Sequence, residues 1–189
     1  TTSAGNFDKN GNKLDLDLGK FGMNFAIWWD ADLYREGLDR TYINKWNYNN
    51  KTIDRLLTGS NVHSNNSTKA TPSLSADILG DWREEVIWPT ADDTALRIYV
   101  NGDVTSHKLY TFMHDVQYRE AIAWQNVAYN QPPHPSFYVG EDMSTPTQPN
   151  VYTVGTYKEK QLDAQPKTGA SIPEGKYMIQ NRYSGLSMD

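Results

Sequence analysis

The chain contains no cysteine, so neither a disulfide framework nor thiolate chemistry is open to it. That absence suits a reducing compartment, or a secreted protein whose loops are held by metal instead. No stretch is apolar enough to span a membrane. The 18 Lys and Arg against 23 Asp and Glu leave a net charge of −5 with no long basic run, which argues against a nucleic-acid partner gripped through phosphates. No initiator methionine or signal-like segment opens the sequence at Thr1, so the true start is expected to lie upstream.

What the chain has in quantity is aromatic and amide side chains. Twelve Tyr and six Trp in 189 residues, with many Asn, Asp and Thr, suit sugar binding, where rings stack on pyranose faces and amides bond hydroxyls. Ordinary β-sheet packing accounts for the same aromatics. Short aromatic and β-branched runs at Phe25–Trp29, Glu85–Trp88, Ala95–Val100, Lys108–Met113 and Ala121–Ala128 read as successive strands between Asn, Asp, Gly and Pro turns. A helical turn is expected over Thr52–Leu57.

Two acidic stretches can be laid over each other. Asp77, Asp81 and Glu85 take the first, fifth and ninth positions of one, with Gly80 inside it. Asp30, Asp32 and Glu36 take the third, fifth and ninth of the other. Oxygens at alternate positions of a tight loop are how short turns wrap Ca²⁺, which takes six to eight oxygen ligands; salt bridges to Arg83 and Arg97 are the alternative for Asp77, Asp81 and Glu85. An echo of the Arg-Glu ending at His114–Glu120 makes the recurrence about fifty and then forty residues. That is the period of a four-stranded propeller blade. Three blades cannot close a ring, so the other blades are expected elsewhere.

Lys69 follows Asn66, Ser67 and Thr68 in a polar loop suited to holding a sugar. As a base it would need its pKa lowered by a neighbouring positive charge; a solvated loop lysine is the plain alternative. Tyr129 lies before Pro132 and Pro133 in a loop at a strand end, placed either for packing or for a sugar hydroxyl. His114 and His134 are too far apart in sequence to share a ligand spacing and are read as structural.

The strings NFAIWWDADLYRE, SNNSTKATPSLSADILGDWREEVIW, ALRIY and MHDVQYREAIAWQNVAYNQPPHPSFY resemble the rhamnogalacturonan lyases of polysaccharide lyase family 11. The resemblance implies an all-β fold: the C-terminal blades of an eight-bladed β-propeller with Ca²⁺ in its blade turns. It implies cleavage of the rhamnose–galacturonate backbone of rhamnogalacturonan I, a pectin, by β-elimination. It places Asn66, Ser67, Thr68 and Lys69 on a substrate-binding Asn-Gly-Thr-Lys loop, with Ser67 departing from the usual glycine. Tyr129 falls on a cleft tyrosine, and Asp30, Asp32, Glu36, Asp77, Asp81 and Glu85 fall on calcium-loop positions. The terminal GKYMIQN and SGL strings are similar to the opening of a ricin-type β-trefoil carbohydrate-binding module.

The expectation is therefore a secreted, monomeric enzyme part. Residues 1–142 would belong to the propeller, 143–172 to a linker and 173–189 to a truncated module. Lys69 would be the catalytic residue, Ca²⁺ a brace, and the partner a polysaccharide, with neither nucleic acid nor membrane. The competing expectation is a calcium-stabilised propeller that binds sugar without catalysis, or an inactive fragment.

Overall fold

The computed structural model describes residues 6–15, 21–127 and 130–150, which belong to one compact unit, Thr1–Asn150. Expectations for 173–189 and for Tyr129 lie outside the described residues. A small hairpin of β1 (Asn6–Phe7) and β2 (Lys13–Leu14) comes first. Then β3 (Phe25–Ile27), β4 (Glu36–Asp39), β5 (Tyr42–Asn47) and β6 (Thr52–Thr58) form a four-stranded antiparallel meander. A second, three-stranded meander joins β7 (Leu74–Ala76), β8 (Glu85–Pro89) and β9 (Leu96–Tyr99). One helix follows, α1 (Val116–Trp124). The described residues are thus mostly β-sheet with a single α-helix.

Alternation in β3 explains the two cores. Phe25, Ile27 and Trp29 point one way and pack with Leu38, Ile43, Val86 and Trp88, so the first core is shared between the two meanders. Trp28 points the other way, into a second cluster with Leu33, Trp82, Phe112 and Tyr118. The two acidic stretches do equivalent jobs. Glu36 opens β4 opposite Ile27, and Glu85 opens β8 opposite Ala76.

Three expectations are corrected. Thr52–Leu57 is no helical turn but part of β6, paired from Tyr42↔Thr58 to Asn47↔Thr52. Its β-branched residues find a ladder in β5, and Leu57 reaches the first core. The stretch expected as a strand over Ala121–Ala128 is instead helical from Ala121 to Trp124. Asp115 caps α1 by accepting a hydrogen bond from Tyr118 N at 2.9 Å, satisfying a donor the first helical turn leaves open. Tyr118 and Ala121 are buried, Ile122 half-buried and Gln125 buried, the three-four spacing of a helix face. Lys108–Met113 alternates in burial but has no ladder among the described residues. Its end is drawn into a 3₁₀ turn, Phe112–His114, capped by Thr111. The stretch 143–150, expected as linker, lies against this unit: Met143 packs on the second core, and Gln148 bonds His114 Nδ1 at 3.1 Å.

The meanders and α1 meet at the carboxylate of Glu84, which has no exposed side-chain surface. Glu84 Oε2 accepts from Trp28 N at 2.9 Å, and its own N–H donates to Trp28 O at 2.7 Å. Oε1 accepts from the Tyr118 hydroxyl at 2.7 Å, which in turn accepts from Asp77 N at 2.9 Å. The Arg35 guanidinium stands 3.6 Å from Glu84 and 4.0 Å over the Trp28 ring. Burial pushes the Glu84 carboxyl above its ordinary range, while Arg35 and the hydrogen bonds pull it back. Glu84→Ala should therefore leave Arg35 unpaired and cost about 3–5 kcal/mol in denaturant unfolding. Tyr118→Phe, which removes one hydroxyl, should cost about 1–2 kcal/mol; equal losses in the two variants would deny Glu84 its central place.

Candidate functional site

The lysine loop is shaped by its backbone. Asn65 and Thr71 exchange two hydrogen bonds, at 2.8 and 3.2 Å, and close a neck. Inside it, Ser67–Lys69 makes one 3₁₀ turn, with Lys69 N donating to Asn66 O and Ala70 N to Ser67 O. Three non-glycine residues of this short loop adopt left-handed backbone: Asn66 (φ 62°), Ser67 (φ 49°) and Ala70 (φ 49°). Side chains at such φ values are strained. Deep anchors hold the strain in place. Ala70 and Thr71 are buried, Ala70 O accepts from Arg40 N, and the Asn66 amide donates to Thr71 Oγ1 at 2.6 Å.

Beside this loop lies an open groove of about 420 Å³, lined by Met23, Asn24, Asn66, Lys69, Thr71, Asn130 and Gln131. Its polar lining is amide, hydroxyl and ammonium. Asn24 leads into β3 and donates to Asp39 Oδ1 at 2.9 Å and, more weakly, to Thr68 O at 3.5 Å. Asn130 donates to Asn126 Oδ1 at 2.7 Å, and its own amide oxygen is buried with no partner among the described residues. Of the expected sugar contacts Asn66 lines the groove, as does Lys69, the expected catalytic residue; Ser67 and Thr68 are exposed in the same turn. Asn24, Thr71, Asn130 and Gln131 were missed. The only sequence signal for Asn130 and Gln131 was their place beside Tyr129, and for Asn24 its place at the mouth of β3.

The histidines serve elsewhere. His134 Nδ1 accepts from Arg35 Nη1 at 2.9 Å, and His114 stacks on Tyr110 with ring centres 6.5 Å apart. Neither lines the groove.

The two acidic turns differ. Asp30, Asp32 and Glu36 each offer an oxygen within 4.8 Å of the others, and the Lys45 ammonium bonds all three. Burial, then the charge of Asp30, pushes the Glu36 carboxyl up to about 8. Asp77, Asp81 and Glu85 are not gathered in this way among the described residues. Asp77 turns inward, accepting from Gly80 N, Trp82 N, Thr111 Oγ1 and Phe112 N. Asp81 Oδ2 accepts from Arg83 Nη2 at 2.6 Å, and Glu85 Oε2 accepts from Ile78 N and Leu79 N. Burial raises the Asp77 carboxyl as well, against those hydrogen bonds. The carboxylates of this second stretch are thus met by its own backbone, by Arg83 and by Thr111 and Phe112 from outside it.

A β-rich unit with a polar sugar-sized groove is the kind of site carbohydrate-active proteins carry. Residues 1–149 match the family model described as "Rhamnogalacturonan lyase family 11, C-terminal domain", and the chain belongs to that family. It is 58% identical over 130 residues to the rhamnogalacturonan endolyase YesW of Bacillus subtilis (strain 168), covering 69% of this chain and 21% of that protein. It is 48% identical over 168 residues to the rhamnogalacturonan exolyase YesX of the same strain, covering 85% and 27%. The crystal structure of YesW superposes with a TM-score of 0.71 at 53% identity, over 78% of this chain and 25% of that one. A Bacillus licheniformis rhamnogalacturonan lyase superposes with a TM-score of 0.70 at 58% identity, over 76% and 24%. The chain thus spans about a quarter of the length of the curated relatives it matches.

Ser67→Gly should relieve the left-handed strain and raise stability by up to about 1 kcal/mol, less the extra chain entropy of glycine. Ser67→Ala, which keeps the Cβ, should gain nothing in the same thermal scan. Burial and the adjacent Arg35 charge hold the His134 imidazole below its ordinary 6.5. Acid therefore protonates the unfolded chain first. The stability linked to His134 is present above about pH 6.5 and is lost as pH falls through the lower folded-state value. Between about pH 7.5 and 5.5 the melting temperature of His134→Asn should drop less than that of the parent chain.

Proposed function

We propose that this chain is the C-terminal part of the catalytic β-propeller of a rhamnogalacturonan lyase, and that its lysine-loop groove forms one wall of the cleft. The observation that carries the reading is Lys69 lining a groove beside Asn24, Asn66, Asn130 and Gln131. Family membership and relatives named as rhamnogalacturonan endolyase and exolyase support the polymer as substrate. Two consecutive meanders built on repeated acidic turns support the propeller. So do the exposed apolar side chains of the outer strands, Ile53 and Leu56 on β6 and Leu96 and Ile98 on β9, which further blades would cover. An extracellular site of action follows from the polymer.

The reaction is β-elimination on the galacturonate residue. A base removes the C5 proton, the C4–O4 bond breaks, a C4=C5 double bond forms and the departing O4 takes a proton. Lys69 acts as that base, or as the cation that neutralises the uronate carboxylate and acidifies C5. Asn66 and Thr68, with Tyr129, hold the sugar hydroxyls. Asn24 and Asn130 extend that set, since amides donate and accept. Calcium enters the reading only as a brace of blade turns other than the Asp30–Glu36 turn, and no step of the elimination passes through it.

The test is a chimera in which this chain replaces the matching segment of the Bacillus subtilis endolyase, incubated with rhamnogalacturonan I. The expected outcome is a rise in the ultraviolet absorbance of unsaturated uronate. Lys69→Ala in that chimera should lower the rate at least ~100-fold with the melting temperature unchanged. A folded chimera that binds the polymer without turnover would instead favour a sugar-binding propeller.

A further inference from the structure

The family resemblance puts Ca²⁺ in the blade turns, yet the Asp30–Glu36 turn already holds a cation of its own. We infer that the Lys45 ammonium is the resident cation of this turn, and that the turn does not take up Ca²⁺.

The oxygens and donors match one for one. One oxygen of each carboxylate accepts from the turn's own backbone: Asp30 Oδ1 from Asp32 N at 3.0 Å, Asp32 Oδ1 from Tyr34 N at 2.9 Å, and Glu36 Oε2 from Trp29 N at 2.9 Å. The second oxygen of each accepts from Lys45 Nζ: Asp30 Oδ2, Asp32 Oδ2 at 2.5 Å and Glu36 Oε1 at 3.3 Å. An ammonium has three N–H donors and no acceptor. All three are used, and six carboxylate oxygens meet six donors. A Ca²⁺ at the same point would take three protein oxygens and complete its shell of six to eight with water, but it would have to displace the Lys45 ammonium and strand it next to a divalent charge.

Strand register puts the lysine there. The β4–β5 ladder pairs Gly37 with Asn44, and one step further along it brings Lys45 opposite Glu36. In the second copy the β8–β9 ladder pairs Val86 with Tyr99, and the same step brings Val100 opposite Glu85. No lysine is supplied there. Asp77 and Asp81 turn instead to backbone N–H groups and to Arg83. Each turn is closed by what its neighbouring strand provides.

The experiment compares the 189-residue chain with Lys45→Met and with Asp32→Asn. Calcium is titrated calorimetrically, and melting is followed in EDTA and in Ca²⁺. Lys45→Met keeps most of the apolar stem and frees three carboxylate oxygens. It should melt well below the parent in EDTA, recover in Ca²⁺, and bind one Ca²⁺ more than the parent with a Kd near ~10⁻⁴–10⁻³ M. Adding Asp32→Asn to Lys45→Met should remove that extra ion, whereas Asp32→Asn alone should leave the parent's calcium stoichiometry unchanged. A parent chain that loses a bound Ca²⁺ on Asp32→Asn would overturn the inference, and that measurement decides the matter even where Lys45→Met fails to fold. A Lys45→Met chain that folds but gains no calcium site would overturn it as well.

Discussion

A carboxylate with no solvent contact must be met by donors from every side, and Glu84 imposes that requirement on the whole unit. Its four-way pairing takes a backbone N–H from β3's end, a hydroxyl from α1, a guanidinium from the first acidic turn and its own N–H bond back to Trp28. None of those groups can move without uncovering a buried charge. Arg35 passes the constraint onward, since the same guanidinium donates to Ala26 O, Pro133 O and His134 Nδ1. The loop carrying the prolines, and with it the approach to Asn130 and Gln131, is thus tied to the centre of the molecule through one side chain. On the other flank Gln125 does a parallel job. Its amide clamps both backbone groups of Ser75, fixing the end of α1 to β7.

The two acidic stretches descend on the same geometry but solve its charge problem differently. Laid over each other they put Arg35 and Glu84 at the same position, and it is those two residues that face each other at 3.6 Å. Pseudo-equivalent positions have thus taken opposite charge and become the contact between copies. A repeat that kept one sign at that position would place like charges together in a buried site, where repulsion is weakly screened. Divergence within the repeat is therefore what lets its copies pack.

The repeat itself was legible in the sequence, because turn chemistry is local. Asp and a closing Glu at fixed spacing report the hairpin that Glu36 and Glu85 each open. β8 and β9 were legible for the same reason, being short β-branched runs between turns. β4 was not. Its residues Glu36, Gly37, Leu38 and Asp39 are poor strand formers, yet all four are buried, so a neighbour on each side outweighs propensity. The helix was misread through its apolar end, Ala121 to Trp124, while the cap at Asp115 and the spacing of Tyr118, Ala121, Ile122 and Gln125 carried the better signal. What no local pattern could report is the distant pairing of charge. Lys45 reads as an ordinary strand lysine until register sets it against Glu36, and Glu84 reads as one more surface acid until the fold closes over it.

The groove shows how these constraints reach the lysine loop. A loop with three side chains in left-handed backbone would relax if its ends were free. Its ends are instead Asn65, bonded to Thr71 and Ser73, and Ala70, buried and held by Arg40 in the turn between β4 and β5. That turn follows directly on the strand Glu36 opens, so the closure of the first acidic turn and the posture of Lys69 share one meander. Position 67 then carries a meaning that composition alone hides. A glycine meets φ near +49° without strain, whereas Ser67 meets it with a Cβ and a hydroxyl on the exposed side of the turn. Ser67 is therefore tolerated by the anchoring beneath it, and its side chain changes the exposed face of the turn rather than the path of the chain.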